Sequence, residues 1–250
     1  MVDATPPVFL VPSLPDTGFA VLEGEEAHHA VTVRRLREGE RLALSDGRGG
    51  LADCVAHAVH PGRNPTVELR VETTRHVSAP ALRVTVAQAL AKGDRGELAV
   101  ETATEAGVDA VVPWRAARSV ARWDDGPRGA KALAKWRATA RAAAKQARRA
   151  WVPEVTEPMT TRQLAARIAE TDLALVLDGD ASESFVDVDF PEEGELLLVV
   201  GPEGGVAPEE RATFVEAGAR CVRLGPTVLR TSTAATVALG ALGALTARWG

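Results

Sequence analysis

The sequence predicts an α/β protein. A parallel sheet covered by helices should occupy residues 81–250, after a small β-rich domain over residues 1–73 and a linker at 74–80. Three observations carry this. Up to residue 73, short runs alternate apolar and polar positions around Gly/Asp turns, as small half-buried strands do. Beyond residue 81, apolar strand-like runs alternate with helical segments, the pattern of a parallel sheet. Two of those apolar runs end in glycine turns that lead directly into helices: Leu196-Leu-Leu-Val-Val-Gly-Pro-Glu-Gly-Gly205 and Leu224-Gly-Pro-Thr-Val-Leu-Arg-Thr-Ser-Thr-Ala234.

In chain order, Pro7–Pro12 reads as a first strand and Gly24–Leu36 as a short helix by its apolar spacing, with Gly39 after its end. Arg41–Leu44 alternates, Ser45–Gly50 turns the chain, and Leu51–His60 alternates again, a hairpin signal. Thr66–Val71 is a further strand. Several short strands closing on themselves suggest a small barrel. Thr73–Pro80 is polar and ends in proline, which marks the linker. In the second domain the expected strands are Leu82–Leu90, Val108–Pro113, Leu173–Leu177, Glu195–Val200 and Arg220–Leu224. The expected helices are Gly93–Ala106, 128–151, Ala207–Ala217 and Ser232–Trp249. Pro208-Glu209-Glu210 should open the third of these, where acids complement the helix dipole.

Composition sets outer bounds. At 46% hydrophobic residues the chain can bury a core, and no apolar run approaches the roughly 18 residues of a membrane span. Met1–Pro7 has neither a basic nor an apolar signal region. Cys54 and Cys221 stand far apart, as buried thiols of a reducing, cytoplasmic compartment would. His28 and His29 have no partners at metal-ligand spacing, so no metal is expected.

The net charge is −5, but its distribution is uneven. From Gly126 to Pro153 there is no acid, while Arg128, Lys131, Lys135, Arg137, Arg141, Lys145, Arg148 and Arg149 all fall there. On the expected helix Leu133, Trp136, Ala140, Ala143, Ala147 and Trp151 share one side and the cations cover the other. Like charges at i,i+4 repel by a few tenths of a kcal/mol, roughly, and a phosphate backbone would relieve that. A solvated charged face is the plainer alternative.

The glycine loops fit neither the P-loop nor the dinucleotide fingerprint. Gly201, Gly204 and Gly205 allow backbone to approach a ligand closely, at the carboxyl end of a strand where open α/β sheets bind ligands. A tight strand-to-helix turn is the alternative. Glu203 reads equally as a site acid or a solvated turn acid. Thr231, Ser232 and Thr233 read as a helix N-cap cluster. Lys92, Asp94, Arg95 and Glu97 form one charged helix end that either touches substrate or pairs internally.

These residues closely resemble the RsmE-type ribosomal RNA uracil-N3 methyltransferases of the SPOUT class. Val199–Gly205, Leu224-Gly225 and Val228–Thr231 look like the two signature loops of that family. Ala91–Leu98 with Thr104–Val108 resembles the opening of its catalytic domain. Trp136, Ala140–Gln146, Arg149 and Pro153 resemble its basic helix. His28-His29, Val33–Leu36, Gly39 and Ser45–Gly47 resemble its N-terminal domain. Two departures stand out: Lys145 where the family commonly has an acid, and Thr231-Ser232-Thr233 where it commonly has Thr-Glu-Thr.

The resemblance implies a PUA-like N-terminal barrel, a C-terminal trefoil knot and a homodimer. It implies S-adenosylmethionine as cofactor, the 16S ribosomal RNA of the small subunit as substrate, and methylation of uracil N3. Leu177, Val200, Gly201, Pro202, Gly205, Leu224, Gly225, Pro226 and Leu229 are the cofactor candidates. Arg230 is the catalytic candidate, a guanidinium for charge developing on the base. Arg34, Arg35, Lys92, Lys131, Lys135, Arg141, Lys145 and Arg149 are the RNA candidates. Methylation of another RNA position, and a non-catalytic RNA-binding or assembly factor, are the rival functions.

Overall fold

A computed structural model describes residues 6–15 and 18–249. The reading of Met1–Thr5 as free of a signal lies outside the described residues. The chain divides into two compact units, residues 1–79 with 144–152, and residues 80–143 with 153–250.

The described residues of the first unit hold a sheet of five strands: β1 Val8–Leu10, β2 Gly18–Leu22, β3 Arg41–Ser45, β4 Gly50–His60 and β5 Thr66–His76. Their order is β1-β3-β4-β5-β2, with only β1 and β3 parallel. As paired, β1 and β2 are the two edges. Two bulges bend β4 against β5, at Asp53/Cys54 and Ala56/Ala58. Strand β2 is absent from the sequence reading because most of it is exposed and carries no alternation. Strand β5 continues to His76, into the stretch read as linker.

Helix α1 covers Gly24–His28 and passes into a π-helical turn, His29–Val33. It ends at Arg35, whose φ of 53° puts it in the left-handed region. Ala27, Ala30 and Leu36 pack from it onto Phe9, Leu22, Leu42, Leu44 and Leu69. The β3–β4 turn is built by its own side chains. Asp46 Oδ1 accepts from the N–H of Arg48 at 2.7 Å and of Gly50 at 2.9 Å, and Ser45 Oγ accepts from Gly47 at 3.0 Å.

The described residues of the second unit hold seven parallel strands. The elements run β6 Leu82–Ala89, α2 Arg95–Glu105, β7 Ala110–Trp114, α3 Pro127–Gln146, β8 Glu154–Val155, α4 Thr161–Ala169 and β9 Leu173–Leu177. They continue with β10 Glu183–Ser184, β11 Gly194–Val200, α5 Pro208–Glu216, β12 Arg220–Arg223 and α6 Thr231–Leu245. The sheet order is β10-β12-β9-β11-β6-β7-β8. Strand β11 therefore enters between β6 and β9, both made before it.

Both sheet faces are covered, which is why β11 reads as an unbroken apolar run. Leu196, Leu198 and Val200 join one core with Trp136, Leu239 and Leu242. Leu197 and Val199 join the other with Leu164, Ile168 and Phe214. Helix α4 escaped the sequence reading although Thr160 and Gln163 close a capping box at its start.

Two helices end earlier than expected. Helix α3 stops at Gln146, because Arg148 turns left-handed at φ 55° and the Arg149 N–H bonds back to the Ala144 carbonyl at 2.9 Å. Ala147 and Trp151 thus lie beyond the helix, and Trp151 Nε1 donates to the Val77 carbonyl at 2.9 Å. Helix α6 stops at Leu245, and Trp249 folds back in a 3-10 turn against Gly243, where a Cβ would collide with its indole.

Candidate functional site

Strands β12, β9 and β11 lie side by side, and Val222, Leu177 and Val200 stand on one rung across them. The three segments that follow therefore leave the sheet at the same level. They surround a cavity of about 620 Å³, within the roughly 300–1,000 Å³ usual for small-molecule sites. Leu177, Val200, Gly201, Pro202, Gly205, Leu229 and Arg230 all line it. Leu224, Gly225 and Pro226 belong to the same 224–230 loop but are not among its walls. Leu224 instead packs against the sheet core with Leu177 and Leu229.

Hydrogen bonds stitch the loops together. Thr231 Oγ1 donates to the Gly201 carbonyl at 2.7 Å and accepts from Gln88 Nε2 at 3.0 Å. Gln88 is buried, and its Oε1 has no partner among the described residues. Helix α6 is thus entered from Arg230, and the Thr231 hydroxyl serves the neighbouring loop where capping was expected. Within the 201–205 loop the Gly205 N–H bonds to the Pro202 carbonyl at 2.9 Å. Gly205 has φ 73°, and a Cβ built on it would meet no atom within 4 Å. The same open space lies over Gly179 and Gly225. Gly201 differs, since a Cβ there would press on Val206 at 3.0 Å.

The charged residues resolve into pairs. Glu203 accepts from the Lys92 backbone N–H at 3.1 Å and faces Arg95 at 3.5 Å, which ties the glycine loop to the start of α2. Asp178 pairs with Arg211 at 3.0 Å, and this hydrogen bond raises the guanidinium pKa above its ordinary value. Burial, then the nearby Asp178, raises the Cys221 thiol. Arg230 is exposed and has no carboxylate in ion-pair range among the described residues. Glu210 is buried at the start of α5, where its Oε2 accepts from the Ala207 N–H at 3.3 Å.

The basic stretch is only partly unpaired. Lys135 meets Glu97 at 2.9 Å and Arg137 meets Glu157 at 2.9 Å. Lys145 meets Glu26 at 2.7 Å and is largely buried, which accommodates a cation at that position. Lys131 and Arg141 are exposed and have no acid in range among the described residues. Arg34 and Arg35 are exposed at the end of the π-helical turn, the Lys92 side chain is exposed beside Glu203, and Arg149 lies just past α3. His29 sits below its ordinary pKa because of burial first and Lys145 second. No cluster of three metal-ligating side chains occurs among the described residues.

Residues missed in the sequence are Asp178, Gly179, Asp180, Val206, Arg211 and Arg118 on the walls, and Gln88 behind them. The first three directly follow a predicted strand end and were findable there. Arg118 comes from the segment after β7, and Gln88 from inside β6, with no local signal.

The comparisons agree along the whole chain. A family model of the RNA methyltransferase domain matches residues 78–243, and one of the RNA methyltransferase PUA domain matches residues 22–55. The ribosomal RNA small subunit methyltransferase E of Mycobacterium bovis is 53% identical over 249 residues, covering 97% of this chain and 93% of its own length. That of Bacillus subtilis is 33% identical over 228 residues, covering 88% of each chain. The crystal structure of the Neisseria gonorrhoeae ribosomal RNA small subunit methyltransferase E bound to S-adenosyl methionine superposes with a TM-score of 0.85 at 28% identity, covering 96% of this chain and 98% of that one. With the glycine-walled cavity in place at the ends of β9, β11 and β12, the chain belongs to the ribosomal RNA small subunit methyltransferase E family.

Proposed function

We propose that this protein transfers the methyl group of S-adenosylmethionine to uracil N3 in the 16S ribosomal RNA of the small subunit. The observation that carries the reading is the convergence of three strand-end loops on one cavity, in a chain 53% identical to a ribosomal RNA small subunit methyltransferase E. Open space above Gly179 and Gly205 leaves room for a ligand against backbone. Leu177, Val200 and Leu229 offer apolar walls for an adenine ring. The 201–205 loop offers backbone N–H and C=O groups for its polar edge.

The cofactor supplies a methyl group on a sulfonium, already a good leaving group, so the protein's part is positioning and charge stabilisation. Uracil N3 carries a proton at neutral pH, and that proton must leave as the N–CH3 bond forms. Arg230, with no acid in ion-pair range among the described residues, donates hydrogen bonds to the negative charge that develops on the base. The proton leaves to solvent or to a carboxylate at the cavity, where Asp180 has no cation in ion-pair range among the described residues while Asp178 and Glu203 face Arg211 and Arg95.

The finer architecture belongs to the same proposal. A PUA-like RNA-binding barrel takes residues 1–73 and the end of β5 at His76, with the linker shortened accordingly, and the SPOUT domain takes 81–250 apart from 144–152, which belong to the first unit. The late entry of β11 between β6 and β9, and the Thr231–Gly201 stitch, support a trefoil knot around the cofactor loops. Of the RNA candidates on α3, Lys131 and Arg141 have no acid in range among the described residues and are available to RNA, with Arg34, Arg35, Lys92 and Arg149 completing the RNA-facing set. Lys135 and Lys145 contribute less, being committed to acids. The protein acts as a cytoplasmic homodimer.

The test is transfer of labelled methyl from S-adenosylmethionine to small ribosomal subunits that lack the modification, followed by nucleoside mass spectrometry. The expected product is 3-methyluridine. A ribose-methylated or differently methylated nucleoside would overturn the N3 assignment, and absence of both transfer and cofactor binding would overturn the enzymatic reading.

A further inference from the structure

Four arginines line the cavity, and they are not equivalent. Arg95 and Arg211 are met by Glu203 and Asp178. Arg118 and Arg230 have no carboxylate in ion-pair range among the described residues. Arg230 is already engaged in the chemistry above, whereas Arg118 has no part in it.

Arg118 is presented from a braced turn. The preceding Ala117 N–H donates to the buried carboxylate of Glu210 at 2.8 Å, and the Ser119 N–H closes the turn on the Ala116 carbonyl at 3.1 Å. Arg122 Nη2 adds a bond to the Ala117 carbonyl at 3.3 Å. From this base, Arg118 Nη1 donates to the Gly204 carbonyl at 3.0 Å. Its aliphatic stem lies along Gly204, where a Cβ would come within 3.4 Å of Arg118 Cβ. Nη2 and Nε have no partner among the described residues. One corner of the guanidinium therefore holds the glycine loop, and two donors remain in the planar arrangement that matches an oxyanion.

We propose that Arg118 is an anion-binding residue of this site, gripping an oxyanion group of a bound reactant with Nη2 and Nε while Nη1 stays on the Gly204 carbonyl. The proposal rests on the methyl-transfer reading. Two reactants carry such a group: the cofactor, as the carboxylate of its methionine portion, and the RNA, as a phosphate. In either case the anion and the glycine loop share one side chain, so engaging the anion also steadies the loop.

Calorimetric titration of wild type and Arg118→Ala with S-adenosylmethionine and with decarboxylated S-adenosylmethionine tests the first source. Binding of small ribosomal subunits across a salt series tests the second. If the cofactor supplies the anion, wild type prefers the carboxylated ligand by about tenfold, as a charge-assisted bidentate contact gives, and Arg118→Ala erases that preference. If RNA supplies it, the ratio of the two ligands is unchanged, and Arg118→Ala weakens subunit binding and reduces the salt slope by about 1. Equal weakening of both ligands with an unchanged salt slope, or no effect at all, would overturn the proposal and leave Arg118 as a loop brace. A wild-type protein that neither binds the cofactor nor transfers methyl would overturn the methyl-transfer reading instead, and the subunit arm would still report on Arg118.

Discussion

The hydroxyl of Thr231 donates to the carbonyl of Gly201 at 2.7 Å, joining two loops that lie thirty positions apart in the chain. Gln88 donates to the same hydroxyl from inside the sheet. Thr231→Val keeps the shape but removes the donor to the Gly201 carbonyl and the acceptor for Gln88 Nε2, which keeps only its 3.3 Å bond to the Ala89 carbonyl. The expected cost is about 1–3 kcal/mol, with weaker cofactor binding. Thr231→Ser should restore most of both. Calorimetric melting with a cofactor titration decides it, and a valine variant as stable as wild type would show that the stitch carries no energy.

Gly179 and Gly205 separate ligand room from backbone strain. Neither Cβ would meet an atom within 4 Å, but only Gly205 has a left-handed φ, 73°. A side chain at Gly205 is therefore strained by roughly 1–2 kcal/mol even in the free protein. Loss of cofactor binding in Gly205→Val would mix the two effects. Gly179→Val should weaken the cofactor at least tenfold with stability within about 0.5 kcal/mol of wild type. Retained affinity would remove the Gly179 wall from the cofactor pocket.

Among the RNA candidates on α3, Lys131 and Arg141 are the informative cations, because Lys135 is held by Glu97 at 2.9 Å and its reversal would place two carboxylates together. Reversing Lys131 and Arg141 together to Glu should weaken small-subunit binding and flatten its salt dependence by about two units in the log–log slope. Filter binding from low to high salt reads this directly. An unchanged slope would take the helix off the RNA surface.

Glu195 gives the fold an acid-sensitive element. Burial alone would raise its pKa, but hydrogen bonds from Thr85 at 2.6 Å and Arg167 at 2.7 Å win, and the group sits below its ordinary 4.5. A carboxylate lowered on folding stabilises the protein above its unfolded pKa, and that contribution is lost as pH falls through the folded value. Wild type should therefore exceed Glu195→Gln in stability at neutral pH, with the gap closing below about pH 4.5. Parallel melting curves across pH 3 to 7 would count against this.

The parts of the fold that read clearly from sequence are those set by local pattern. The β9 run and Leu196–Val200 of β11 are apolar throughout because both faces are covered, and the Ser45-Asp46-Gly47 turn announces its own hydrogen bonds. Long-range structure reads poorly. β2 is an exposed edge strand without alternation, and α3 carries an apolar spacing that continues past its true end at Gln146. The ion pairs of Lys135 with Glu97 and of Lys145 with Glu26 join residues far apart in the chain, so the basic stretch looks more uniform in one dimension than it is in three. At the site, glycine spacing located the loops. Arg118 arrives by tertiary approach alone.

Strand β11 is central in the sheet but late in synthesis. Its register partners Leu82 on β6 and Leu173 on β9 are translated first, yet they cannot share a sheet until residues 194–200 have left the ribosome. During that interval both strands keep open edges, a state prone to pairing with other chains. The cavity comes later still, since its last wall is the start of α6. A polypeptide that stopped before Thr231 would have two edges of a pocket and nothing to latch them, so methyl transfer should appear only with chains nearly complete.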